Sequence, residues 1–298
     1  MTSIRRTPTH TTRGRGTRRL GIRSGTTLVA VSTVGLLCGL TGTAEAAATS
    51  VPLGTAGSFA VLAGSGITNT GPTTIAGDIG TFPTTTIVGA GSITQTGTNH
   101  AGDAVTQGAK NDLVTAYGTA AGEGPPTAVT GEVGNRTLRA GVYKAATSMG
   151  LTGALTLDAA GNPDAVFVFQ AGSTLTTASA SSVVLVNGAQ ACHVFWQVGS
   201  SATLGTTTRF RGNVLATTSI TLKTSATVEG RVLARDGAVT LDHNVITQPG
   251  CAAKSTTTKV APKKRGGTGT AGYGQVSRVP VGGVDTGDGS TAGQPFLG

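Results

Sequence analysis

The chain has 298 residues, of which 38% are hydrophobic, 12% charged and 4% aromatic, with 47 glycines and a formal net charge of +9. That charge sits at the two ends: residues 1–46 hold seven arginines and one glutamate, the segment from Ala253 holds six basic and two acidic residues, and 47–252 is left at −1. A nearly neutral central segment, with arginine clusters only at Arg136/Arg139 and Arg209/Arg211, excludes a nucleic-acid surface, which needs grouped cations with aromatics between them.

Residues 1–46 have the pattern of a secretory signal peptide. The arginines come first, an apolar run follows from Thr26 to Leu40, and Ala44-Glu45-Ala46 supplies a small-x-small cleavage site before Ala47. The run is too short for a membrane span, so none is expected after cleavage. Arg18-Arg19-Leu20-Gly21-Ile22 is weakly similar to a twin-arginine export signal. The expected location is secreted and extracellular. Two cysteines then remain, Cys192 and Cys251, and in an oxidising compartment they read as one disulfide. Such a bridge is worth about 4 kcal/mol on the chain-entropy model. No second ligand lies at metal spacing and His193 is expected to point away from Cys192, so no metal site is assigned.

Residues 47–98 are rich in Gly, Thr, Ile and Val. They read as short strands, including Phe59-Ala60-Val61-Leu62 and Ser92-Ile93-Thr94, with turns at Gly71-Pro72 and Phe82-Pro83. Over 99–121, Ala101, Val105, Ala109, Leu113 and Tyr117 recur at every fourth place, which predicts an amphipathic helix capped by Asn99 and ended by Gly122 and Pro125-Pro126. Its largely alanine stripe suits close packing along one side of a flat sheet.

From Thr137 to Thr247 the dipeptide Thr-Leu returns five times, at 156, 174, 203, 221 and 240, with steps of 18, 29, 18 and 19 residues. The long step reads as one period plus an insertion. A fixed period of this length marks a solenoid of stacked coils. Each period divides into three short strands, as at Asn213–Ala216, Ile220–Leu222 and Ala226–Val228, which predicts a triangular cross-section. Strand side chains alternate, so the leucines form an inward row with Leu155, Ala202, Ile220 and Val239. The threonines form an outward row, flanked by Ala154, Gly172, Ser201, Ser219 and Ala238 on one side. On the other side the row carries Asp158, Lys223 and Asp242. The regular Thr-Leu register does not extend into 47–98.

The strands Val166–Gln170 and Val194–Gln197 are the heaviest, and their aromatics are expected in the core; a sugar-stacking role is the alternative for Trp196. The acids are scattered and no catalytic cluster recurs, so no enzyme and no cofactor are expected. Residues 253–298, dominated by Ser, Thr, Lys, Gly and Pro, read as a disordered tail whose Lys263-Lys264-Arg265 could touch an anionic cell-wall polymer.

Gly77-Asp78-Ile79-Gly80-Thr81-Phe82-Pro83, Ala140-Gly141-Val142-Tyr143, Leu155-Thr156-Leu157-Asp158, Ala165–Gln170, Val194–Gly205 and Gly237–Asp242 together closely resemble the microbial ice-binding-like family, over about 51–250. The resemblance implies a mainly β fold, a discontinuous triangular β-solenoid with one α-helix packed alongside, spanning 47–252. It also implies a monomer whose partner is the ice crystal surface, held by one flat face. The residues expected to form that face are Thr174, Thr176, Ser201, Thr203, Ser219, Thr221, Ala238 and Thr240. The alternative is a secreted adhesion or structural module using the same solenoid without touching ice.

Overall fold

Seven inward positions, Leu175, Ala202, Leu204, Ile220, Leu222, Val239 and Leu241, are each at most 1% exposed. They are the reason the coils stack: each coil is too thin to bury its own aliphatics and does so only against its neighbours. The structure is a computed structural model and describes residues 48–252. The signal peptide and the basic tail expected from the sequence lie outside the described residues.

All the ladders run parallel, and the strands form one sheet of fifteen and one of seven. The larger sheet bends through a corner, so the solenoid has three sides. Two eight-residue strands, Arg209–Ala216 and Thr227–Ala234, run through that corner. Gly212 (φ 114°) turns the first of them, and a Cβ on Gly230 would lie 1.9 Å from the Gly212 carbonyl oxygen, so only glycine allows the two turns to stack.

Coil order in space differs from coil order in sequence. The early strand Phe59–Ala63 pairs with the late strand Thr227–Ala234 (Val61 beside Val232), and Asp78–Thr81 and Asn99–Ala101 continue outward from it. The chain therefore has to return to the far end of the stack before its regular coils begin, and the helix makes that return. Its 19 residues, Ala104–Gly122, span about 28 Å at 1.5 Å per residue. The side it follows has nine strands, from Thr127–Ala128 to Asn99–Ala101, or about 38 Å. The connecting residues 102–103 and 123–126 make up the difference.

The helix begins five residues later than the sequence predicts. Asn99 belongs to a strand, paired with Ile79, and the cap is Asp103, whose carboxylate accepts from the Thr106 amide at 2.8 Å. Ala109, Leu113, Ala116 and Ala120 are buried as expected, against Phe59, Leu62, Val168, Phe195, Leu215 and Leu233 on the outer surface of the sheet, whereas Val105 is exposed. A sheet side covered this way is buried on both surfaces. That is why Phe59–Ala63, Phe167–Ala171 and Val194–Val198 read as unbroken apolar runs, and why this side has no free surface for a partner.

Inside the coils, Tyr143, Phe169, Trp196 and Phe210 stack in series, with ring centroids 5.5, 4.0 and 5.0 Å apart. Trp196 is 1% exposed and donates its indole N–H to the Arg211 carbonyl, so the sugar-platform alternative is excluded. At the other end of the helix, the buried Gln170 amide donates to the carbonyls of Ala120 and Glu123, both at 2.9 Å. These are carbonyls that a helix terminus leaves unpaired. Replacing Gln170 with leucine strands them in an apolar site. The variant should unfold with a stability loss of about 1–3 kcal/mol in urea, with the m-value unchanged.

Candidate functional site

The seven-stranded sheet is the second side. Its strands lie in the spatial order Met149–Leu151, Leu175–Thr177, Ala202–Leu204, Ile220–Leu222, Ala238–Asp242, Gly66–Thr70 and Ile87–Val88. The register aligns Thr176, Thr203, Thr221, Thr240 and Thr68 in one outward column, continued by Gly150 at one end and Val88 at the other. With coils about 4.8 Å apart, these five threonines run for about 19 Å. Two residues earlier along each strand, the same register makes a second column of Thr174, Ser201, Ser219, Ala238 and Gly66, about 6.6 Å away. All eight residues expected from the sequence thus share this sheet.

Small hydroxyls knit the second column. Thr174 Oγ1 donates to Ser148 Oγ at 2.9 Å, Ser201 Oγ accepts from the Ser219 amide, and Ser219 Oγ accepts from the Ala238 amide, both at 3.3 Å. Their side chains are thereby held flat against the coils. A bulky residue is also barred at the adjoining corner: a Cβ on Gly199 would lie 2.4 Å from the Gly172 carbonyl oxygen.

The structure corrects the register on which the outward row rests. Leu175 is level with Ala202, so Thr176, not Thr174, continues the threonine column. Thr156 lies on the third side, paired with Val184 and Thr137. The equal 18-residue steps concealed this. The step from Met149 to Leu175 is 26 residues and that from Leu175 to Ala202 is 27; only later do the steps fall to 18 and 19. The longer coils carry turns over 159–165 and 187–193, so Thr156 and Thr174 are less than one coil apart. Asp158 therefore does not interrupt the face. Thr68 is the residue that sequence reasoning missed. Gly66-Ile67-Thr68 repeats the small-aliphatic-threonine pattern of Ser219-Ile220-Thr221, but Asn69 occupies the leucine position and hid the match.

A third outward column, beside the corner, carries Lys223, Asp242 and Thr70. Asp242 does not project freely. Its carboxylate accepts from the Thr224 hydroxyl and lies 2.6 Å from His243 Nδ1. The Thr224 hydroxyl first, and then His243, hold this carboxyl below the usual carboxylate range. A depressed folded-state value adds stability that is complete above the unfolded value and disappears as the pH falls through the folded one. Urea titrations should show wild type and Asp242→Asn differing most at neutral pH and converging well below pH 4.

At the same corner each coil turns through one left-handed residue, Ala180, Thr207, Ser225 and His243 in succession, followed by Gly71. Next to the turn, Thr177 and Thr208 share a hydrogen bond of 2.8 Å, and the buried Asn244 amide donates to Lys223 and Ala226 carbonyls. These bonds impose the turn, so residues without a left-handed preference accept it. Threonine at φ 56° is the most strained of them. Thr207→Asn should raise stability by about 0.5–1 kcal/mol in thermal or urea unfolding.

The third side is differently built. It carries Arg211 paired with Glu229 at 2.8 Å and Arg139 paired with Asp158 at 3.4 Å, besides Arg209. Long charged side chains stand out from this sheet, whereas residues of the threonine side end at a methyl, a hydroxyl or a hydrogen.

A model of the ice-binding-like family matches residues 61–247. The chain is 47% identical over 236 residues to an ice-binding protein of a Nostoc species, covering 78% of this chain and 87% of that one. The chain belongs to the ice-binding-like family. Among family members, an ice-binding protein of Flavobacterium frigoris is 36% identical over 217 residues, covering 67% of this chain and 76% of its own length. Solved structures agree. An ice-binding protein from an Antarctic biological consortium superposes with a TM-score of 0.66 at 47% identity, covering 67% of this chain and 92% of its own. One from the ascomycete Antarctomyces psychrotrophicus gives 0.66 at 44%, covering 68% and 100%. The discontinuous solenoid of this family accounts for the inverted coil order described above.

Elsewhere, the structure joins Cys192 to Cys251, and contrary to the sequence expectation His193 turns toward the bridge: its Nε2 lies 3.8 Å from Cys251 Sγ. Residues 191–193 form a 3-10 turn rather than a strand, so the alternation assumed for them does not apply. Among the described residues, no helix is long and apolar enough to cross a membrane.

Proposed function

We propose that this ice-binding protein adsorbs to ice through the threonine side, using Thr174, Thr176, Ser201, Thr203, Ser219, Thr221, Ala238 and Thr240 together with Thr68. The observation that carries the assignment is the unbroken column of five threonines beside a column of small residues. Of the three sides, one is covered by the helix and one is studded with paired charges. A rigid grid of methyls and hydroxyls can hold ordered water that merges with the crystal lattice. Each contact is weak, but the face is preorganised by the parallel ladder, so little entropy is lost when many contacts form together. Adsorption of this kind blocks crystal growth and recrystallisation.

The chain is secreted, in this reading, after loss of residues 1–46. The folded unit is 47–252, stapled by Cys192–Cys251, and the tail 253–298 is available to cell-wall polymer. The protein acts as a monomer without catalysis or cofactor.

Two pairs of substitutions test the face. Thr203→Tyr with Thr221→Tyr should abolish crystal facetting and recrystallisation inhibition while the far-ultraviolet circular dichroism stays unchanged. Thr156→Tyr with Thr227→Tyr, on the charged side, should leave both activities intact. The reverse result moves the site to the charged side. A wild-type protein without effect on recrystallisation at micromolar concentration would return the chain to the adhesion or structural reading.

A further inference from the structure

Cys192, His193 and Cys251 place two sulfurs and one imidazole nitrogen within 4.8 Å of one another. The imidazole is oriented from behind. His193 Nδ1 lies 3.0 Å from the Pro163 carbonyl oxygen, which can only accept, so Nδ1 carries the proton and Nε2 presents its lone pair toward Cys251. A backbone carbonyl behind a histidine is the arrangement that fixes tautomer and ring angle in metal sites. The 3.8 Å between Nε2 and Cys251 Sγ is close to the separation of about 3.6 Å between adjacent nitrogen and sulfur ligands of a tetrahedral zinc ion.

The cluster does not depend on the sulfur–sulfur bond alone. Gln190 grips the backbone next to Cys251 from both sides: its Oε1 accepts from the Ala252 amide at 2.6 Å, and its Nε2 donates to the Ala252 carbonyl at 3.1 Å. The same Nε2 donates to Pro163 at 2.8 Å, tying this clamp to the carbonyl that orients His193. Cys251 is exposed and Cys192 is nearly buried, so the outer sulfur has room to move from bonding distance to the separation that two metal-bound sulfurs need.

We propose that, once a dithiol or phosphine has reduced the Cys192–Cys251 bridge, the protein binds one Zn²⁺ through Cys192 Sγ, Cys251 Sγ and His193 Nε2. A water molecule takes the fourth position. Reduction gives two thiols at the expense of the reductant, which a dithiol accomplishes by becoming a disulfide. Zn²⁺ then displaces the two thiol protons to solvent. Reoxidation to the disulfide releases the ion. The site is thus a redox-gated zinc site at the end of the last coil, away from the threonine side.

The test uses the full chain carrying Cys38→Ser, so that these are its only two thiols. Reduced with a phosphine and stripped of metal, it is titrated with Co²⁺ and then with Zn²⁺. One Co²⁺ per chain, with thiolate-to-cobalt absorption in the near ultraviolet that Zn²⁺ abolishes, is the expected result. The air-oxidised protein should show neither. His193→Ala should weaken Zn²⁺ binding by about tenfold or more, and His243→Ala should leave it unchanged. Absence of stoichiometric binding by the reduced chain overturns the proposal. So does binding indifferent to His193→Ala, or a loss of strand signal on reduction that Zn²⁺ does not restore.

Discussion

The structure depends on one packing constraint: aliphatic side chains from successive coils must meet inside a column that no single coil can close. Leu204, Leu222 and Leu241 are each buried to within 1% by the coils above and below. The parallel ladder then sets the coil spacing at the hydrogen-bonding distance between strands, about 4.8 Å. Outward residues inherit that spacing. The regularity of the threonine side is therefore a by-product of the core, and its flatness costs no extra ordering because the backbone beneath is already fixed.

The same constraint explains the helix. A stack of parallel coils built from two separate chain segments leaves a connection to be made along its whole length. An alanine-faced helix makes it with the least thickness, and in doing so gives Phe59, Phe195 and Leu215 an apolar partner. The helix thereby takes one side out of contact with solvent. The charged pairs Arg211–Glu229 and Arg139–Asp158 differentiate the other two. One side of the three is left broad, neutral and low.

The irregularities are concentrated where the chain turns. Left-handed Ala180, Thr207 and Ser225 are tolerated because buried Thr177, Thr208 and Asn244 bind the neighbouring carbonyls and hydroxyls. Asp242, which looks like a blemish on the face, is drawn into the corner by Thr224 and His243. The bridge at Cys192–Cys251 lies at another corner, where the coils of 26 and 27 residues carry their extra turns.

Much of this was legible in the amino-acid sequence by itself. Alternation of leucine and threonine identifies strand, inward face and outward face, since side-chain direction on a strand follows from chain position alone. The alanine repeat over 104–122 likewise identifies the helix and the side it packs with. Only the tertiary structure decided which threonines are neighbours. Pairing depends on coil length, and coil length varies with surface loops that leave the repeat motif unchanged. Thr156 looked like part of the column and is not; Thr68, more than a hundred residues away from its nearest partners in sequence, is. Contacts between coils distant in sequence are decided by which apolar edges remain to be covered, and that choice is made by the folded stack as a whole.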